Sequence, residues 1–204
     1  MKTVLFIGDS ITDCGRDRAD PDSLGAGYVA RVAEWHALEN PGAEVHFVNR
    51  GISGNRVADV RRRWTVDCLE LEPDVVSIMI GVNDTWRRYD RDDPTSAEQF
   101  AADYREILAR TAEIGARTIL VEPFLLPVRA EQWEWRADLD PKIAVVRRLA
   151  AEFRALFVAT DGPMAQAGAA SEPTDWVRDG VHPTPAGHAL LARAWLTATS
   201  LPQC

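Results

Sequence analysis

The chain has few cysteines, fewer basic than acidic side chains and no long apolar run, and each shortage removes a class of protein. Only Cys14, Cys68 and Cys204 occur among 204 residues, an odd number without metal-ligand spacing. A disulfide framework is excluded, and the three read as reduced thiols of a cytosolic chain. Acidic residues outnumber Lys and Arg by 31 to 23, a net charge of −8. That balance argues against nucleic acid, an anionic membrane or a strongly anionic substrate as the main partner. The N-terminal run "TVLFI" is too short for a signal peptide, and no later stretch approaches the roughly 20 apolar residues of a membrane span. A cytoplasmic location is therefore expected.

What is present is enough apolar surface for one core, 46% hydrophobic residues in a length that suits one domain over 1–204. Short β-branched runs recur as "KTVLFI", "EVHFVN", "DVVSIMI", "RTILVE" and "ALFVAT", and they predict five strands. Helical periodicity lies between and after them, at roughly 26–39, 56–71, 97–115, 140–153 and 184–199. Strands apolar on both faces and separated by crossover helices make a parallel sheet covered on both sides, a doubly wound three-layer α/β/α sandwich. The segment 122–137, "EPFLLPVRAEQWEWRA", reads as a loop or flap over one sheet end.

In such a sheet ligands bind beyond the carboxyl ends of the strands. Four polar islands fall there: Ser10 after strand one, "NRGISGNR" (49–56) after strand two, "GVNDTW" (81–86) after strand three, and "WVRDGVHPT" (176–184) after strand five. A serine hydroxyl is a weak nucleophile, so it needs an imidazole base, and the imidazole needs a carboxylate to hold its tautomer. Asp179 and His182, three residues apart around Gly180, can supply that pair. Ser10 is then the nucleophile, His182 the general base and acid, and Asp179 its orienter. The backbone N–H groups of Ser10 and Gly54 and the amide of Asn83 are candidate oxyanion donors. A helix opening at Ser10 would add the positive end of its dipole.

These blocks, "GDSITD", "GISGN", "GVND" and "DGVH", resemble those of the SGNH (GDSL) hydrolases, in order over nearly the whole chain. The resemblance implies a flavodoxin-like five-stranded parallel sheet of order 2-1-3-4-5, with no metal and no organic cofactor. It also implies a homo-oligomer. The G-x-S-x-G elbow of ordinary α/β-hydrolase lipases is missing, because Thr12 stands where its second glycine would be. "FIGDSITDCGR" and "VHP-AGH-LLARA" further resemble intracellular acetylxylan esterases, which implies acetylated xylo-oligosaccharides as substrate. Short-chain esters or thioesters are the alternative substrates, and a non-catalytic carbohydrate-binding module is the alternative from another class.

Several residues carry subsidiary expectations. Asp9 is a candidate substrate contact beside the nucleophile, although Asp9 and Asp13 also suit turns and caps. Asp84 suits a hydrogen-bonded brace for its loop. His36 and His46 are expected to be structural, and the spacing of His188 from His182 does not place two imidazoles on one helical face as a metal site would. Arg56, Arg61, Arg62 and Arg63 are expected on a solvated helix face or an oligomer contact. Seven tryptophans are many for this length, and flat rings with a polar edge suit sugar faces. Trp86, Tyr89 and Trp176 are the candidate substrate contacts. Trp64, Trp133 and Trp135 also fall near the islands, whereas Trp35 and Trp195 are expected in packing.

Overall fold

The computed structural model describes residues 2–199. Cys204 therefore lies outside the described residues. Five parallel strands form one sheet: β1 (Lys2–Gly8), β2 (Val45–Gly51), β3 (Val75–Met79), β4 (Arg117–Val121) and β5 (Leu156–Val158), in the order β2-β1-β3-β4-β5. That is the expected topology, and each strand lies where its β-branched run predicts. β1 is central, with Gly8 level with Gly51 on one side and Met79 on the other.

Alternation along the strands builds two cores. Val4 and Phe6 point into a layer with Tyr28, Val29 and Val32 of α2 (Tyr28–Glu39) and with Leu191 and Trp195 of α10 (Pro185–Thr199). Leu5 and Ile7 point the other way, onto α3 (Val57–Arg62), α6 (Ala97–Glu113) and α7 (Arg136–Glu152). Every one of these apolar strand residues is fully buried, which is why the strands read as continuous apolar runs. Trp195 lies in the first core and closes it by donating its indole N–H to Ser77 Oγ of β3.

The structure departs from the expected elements at four places. The pattern at 56–71 breaks into α3, α4 (Trp64–Asp67) and a 3₁₀ turn at Leu69–Leu71. The break falls at Arg63, whose guanidinium is drawn inward to the carbonyls of Gly8 and Arg50 and to the Asn55 side chain. Arg63 is thus a half-buried tie between strand ends rather than a residue of a solvated helix face. Island 81–86 is itself helical, opening α5 (Val82–Arg91), and its buried positions include the polar Asn83, Asp84 and Thr85. α8 (Asp161–Ala170) and α9 (Pro173–Trp176) follow β5, and α8 buries only Met164 and Ala167.

Segment 122–137 is no flap. Phe124, Leu125 and Leu126 are buried in the first core, and a 3₁₀ turn at Ala130–Trp135 runs directly into α7. It is a packed strap across the carboxyl rim of the sheet. Among the described residues, no helix is long and apolar enough to cross a membrane.

Candidate active site

All four islands meet at the carboxyl rim, which brings residues distant in sequence into hydrogen-bonding range. Ser10 opens the single-turn helix α1 (Ser10–Asp13), and its Oγ lies 2.8 Å from His182 Nε2. On the far side of the ring, His182 Nδ1 lies 2.7 Å from Asp179 Oδ2. A carboxylate can only accept, so Nδ1 carries the proton and the Nε2 lone pair faces the serine hydroxyl. The other carboxylate oxygen, Asp179 Oδ1, accepts from the backbone N–H groups of His182 and Val181. Burial pushes the Asp179 carboxyl up, but these bonds from the His182 ring and from the two backbone groups outweigh it and hold it at about 2. The same ring bond raises the His182 imidazole above its ordinary value of 6.5.

The turn carrying this pair depends on Gly180, at φ +93°, where a Cβ would stand 2.5 Å from Gln132 Nε2. Gln132 is a residue that sequence reasoning missed. It is completely buried in the strap, its Oε1 accepts from the N–H groups of Val128 and Arg129, and its Nε2 donates to the Asp179 carbonyl at 2.6 Å. The strap also holds the turn through Leu126 N–H to the Gly180 carbonyl. A glutamine in "AEQWEW" carries no local signal of such a contact. On the outer side of the turn, Arg178 N–H donates to the His182 carbonyl.

The expected oxyanion donors share this rim. Gly54 adopts φ +82° in an exposed turn with open space where a Cβ would be. Asn83 Nδ2 donates one hydrogen to the carbonyl of Asn55, next to Gly54, and Arg87 Nη2 donates to Asn83 Oδ1 at 3.3 Å, which fixes the amide's orientation. One amide hydrogen of Asn83 remains for a ligand. Asp84 is fully buried and accepts from Val57 N–H at 3.1 Å, with burial pushing its carboxyl up to about 7. It ties the start of α3 to α5, whereas the sequence suggested a brace for its own loop. The helix at Ser10 is a single turn of four residues, so it contributes N–H groups and little dipole.

Asp9 is not a substrate contact. It is 1% exposed, its Oδ1 caps α1 by accepting from Ile11 N–H, and burial pushes its carboxyl up to about 6. Asp13 accepts from Ser53 N–H and from Arg18, tying the Ser10 turn to the Gly54 loop. Trp86 packs 5.6 Å from the His182 ring and 5.7 Å from Trp135, which is buried beneath it. Tyr89 stacks on the other side of Trp135 and donates its hydroxyl to the Glu134 carbonyl, so two indole rings separate it from His182. Trp176 is half-buried against the first core, and its indole N–H is held by Ser171 Oγ. That leaves its carbonyl, which accepts from Thr184 N–H, to frame the His182 hairpin. Trp64 is completely buried, and Trp133 is 66% exposed.

The remaining histidines are structural. His36 packs edge-on to Phe47, and His46 lies at the surface near Asp22. His188 accepts from Tyr28 N–H at Nδ1 and lies 3.2 Å from Cys14 Sγ at Nε2, so both ring nitrogens are engaged.

A parallel sheet whose rim presents a serine, a histidine and an aspartate in hydrogen-bonded series, with amide donors alongside, is the frame of a serine hydrolase. The GDSL-like lipase/acylhydrolase family matches residues 6–190, and the chain belongs to it, as a carboxylic-ester hydrolase. It is 39% identical over 201 residues to an acetylxylan esterase of Geobacillus stearothermophilus, covering 95% of this chain and 91% of that protein. The crystal structure of that bacterium's acetylxylan esterase superposes with a TM-score of 0.92 at 38% identity, covering 98% of this chain and 95% of that one. A variant of it, an acetyl-xylooligosaccharide esterase, matches equally well, with TM-score 0.92, 38% identity and coverage of 98% and 95%. An α/β hydrolase from the metagenome of Lake Arreo, Spain, matches with TM-score 0.91 at 33% identity, covering 100% of this chain and 97% of that one.

Proposed function

We propose that this esterase removes acetyl groups from xylo-oligosaccharides through an acetyl-serine intermediate, with Ser10, His182 and Asp179 as its triad. The observation that carries the reading is the unbroken series Ser10 Oγ, His182 Nε2, His182 Nδ1 and Asp179 Oδ2, with contacts of 2.8 and 2.7 Å. Ser10 Oγ attacks the acetyl carbonyl while its proton passes to His182 Nε2. Negative charge develops on the carbonyl oxygen, where the N–H groups of Ser10 and Gly54 and the free amide hydrogen of Asn83 receive it. Collapse of the tetrahedral intermediate returns the proton from Nε2 to the departing sugar oxygen. Water, deprotonated by the same nitrogen, then hydrolyses the acetyl-serine and releases acetate. Asp179 keeps the proton on Nδ1 throughout and stabilises the imidazolium.

Sugar as the alcohol component is supported by the acetylxylan and acetyl-xylooligosaccharide esterases that the chain resembles and by Trp86 beside His182. A reducing cytoplasm is in keeping with Cys14 and Cys68 as free thiols. Assembly of several copies is in keeping with the exposed ring of Trp133 on the strap.

The reading is tested by acetate release from acetylated xylo-oligosaccharides beside a 4-nitrophenyl ester series of increasing acyl length. Release concentrated on acetyl and strongest on the sugar is expected. Good turnover of longer chains with none on the sugar would overturn the substrate. Asn83→Ala is expected to lower kcat by about 100- to 1000-fold. Because the amide also holds the Asn55 carbonyl, a Tm decrease should accompany the loss. A kcat within threefold of the parent would remove Asn83 from the oxyanion site.

A further inference from the structure

We propose that Arg63 is the positioning residue of the oxyanion site: its guanidinium holds the Gly54 turn and the Asn83 amide in register with the strand that leads to Ser10. The proposal rests on the acetyl-serine reading and concerns the reacting centre, whatever the alcohol component of the ester. The bonds of Arg63 go to the protein chain, so its part is to place the groups that meet the substrate.

Arg63 stands between α3 and α4, and its side chain is 15% exposed. Its planar fork reaches three segments of the chain. Nη2 donates to the Gly8 carbonyl at 3.1 Å, Nη1 to the Arg50 carbonyl at 2.8 Å and Nε to Asn55 Oδ1 at 2.8 Å. Asp67 Oδ2, 2.7 Å from Nη1, balances the charge. Gly8 ends β1 two residues before Ser10, Arg50 lies in β2, and Asn55 directly follows Gly54. The Gly8 carbonyl also accepts from Ile52 N–H, so one oxygen joins the nucleophile's strand to the Gly54 turn at the point that Arg63 grips.

Asn55 relays that grip to both expected oxyanion donors. Its side chain accepts from Arg63, its N–H donates to the Ile52 carbonyl and closes the turn around Gly54, and its carbonyl accepts from Asn83 Nδ2 at 3.1 Å. The apex of the turn, Ser53 and Gly54, is exposed, with open space where a Gly54 Cβ would be, so hydrogen bonds rather than packing fix it. Asp13, through Ser53 N–H, is the second anchor. Oxyanion donors stabilise charge only where they are already aimed, and a misplacement of about 1 Å costs on the order of 100-fold. A lysine ammonium at this position keeps the charge but loses the fork that spans these acceptors.

The test measures kcat, KM and Tm with 4-nitrophenyl acetate, an ester without sugar, for Asn55→Ala, Arg63→Lys, Asn83→Ala and the two double variants that combine Asn83→Ala with each of the others. Asn55→Ala removes the relay but leaves Arg63 on its two carbonyls and on Asp67. It is expected to lower kcat by about 10- to 100-fold with KM within about twofold, the mark of a loss felt in the transition state. Arg63→Lys should lose at least as much and also lower Tm, because it releases two strand ends. The acid limb of the rate, which His182 sets, should stay in place in Asn55→Ala, since the base is untouched. In the double variants each further change should lower kcat by a smaller factor than it does in the parent, because its effect runs through the amide already removed. A kcat in Asn55→Ala within about threefold of the parent would overturn the positioning role, and it decides the case even where Arg63→Lys does not fold. Losses that multiply fully in the double variants would overturn it too. Near-normal turnover in Ser10→Ala would instead overturn the acetyl-serine reading, and the proposal with it.

Discussion

Replacing Ser10 with Ala is expected to lower kcat for acetate release by about a millionfold, the loss seen when a serine-hydrolase triad loses its nucleophile. The fold should survive. The Ser10 hydroxyl makes one part-buried hydrogen bond, to His182, and a bond of that kind contributes about 1 kcal/mol, which shifts Tm by about 2–4 °C in a chain of this size. The helical turn is capped independently by Asp9 through Ile11 N–H. Stopped assays with the parent as reference, beside a thermal melt, measure both quantities. A variant that kept near-normal turnover would remove Ser10 from the mechanism, and a melt lowered by 10 °C or more would contradict the independence of the cap.

Asp179→Asn is the second large effect, an expected loss on the order of 10⁴ in kcat. The cause is the tautomer. An amide can present a hydrogen to His182 Nδ1, and the ring proton then moves to Nε2, where it faces Ser10 as a donor and cannot accept. A second readout separates this from misfolding. The parent's rate should rise with pH through a midpoint above 6.5, because activity needs neutral His182 and the Asp179 bond raises its pKa. With that bond lost, the midpoint should move to lower pH. Asp9 also favours the imidazolium and Arg178 opposes it, so Arg178→Gln should shift the same limb the opposite way. An acid limb that stayed in place in Asp179→Asn would mean that the carboxylate does not set the charge state of His182.

Strands and nucleophile were legible because their signals are local. A strand apolar on both faces needs no partner to be recognised, and "GDS" directly behind the first such strand puts a polar residue where the sheet ends. What was illegible depended on partners far along the chain. α5 contains "VNDTWRRYD", which lacks an apolar stripe because three of its four buried positions are the polar Asn83, Asp84 and Thr85, each satisfied by another segment. The break at Arg63 comes from carbonyls of two strand ends. Asp9 illustrates the converse. Its place beside the nucleophile suggested exposure, yet the turn it caps directs its side chain inward. Nor does Gln132 announce itself, since its role is defined by the Asp179 carbonyl, 47 positions away.

The span between Ser10 and His182, 172 residues, has a meaning for how the enzyme comes into being. A chain emerging from the ribosome presents its serine 172 residues before the imidazole that activates it. Until the hairpin around Gly180 docks on the strap, the hydroxyl is no more reactive than free serine, and the nascent esterase is harmless to cellular esters. The contact that switches it on is among the most non-local in the molecule, and such contacts close late because the loop entropy they cost is recovered last. Recovery of ester hydrolysis during refolding is thus a clock for that final docking, readable without any spectroscopic label.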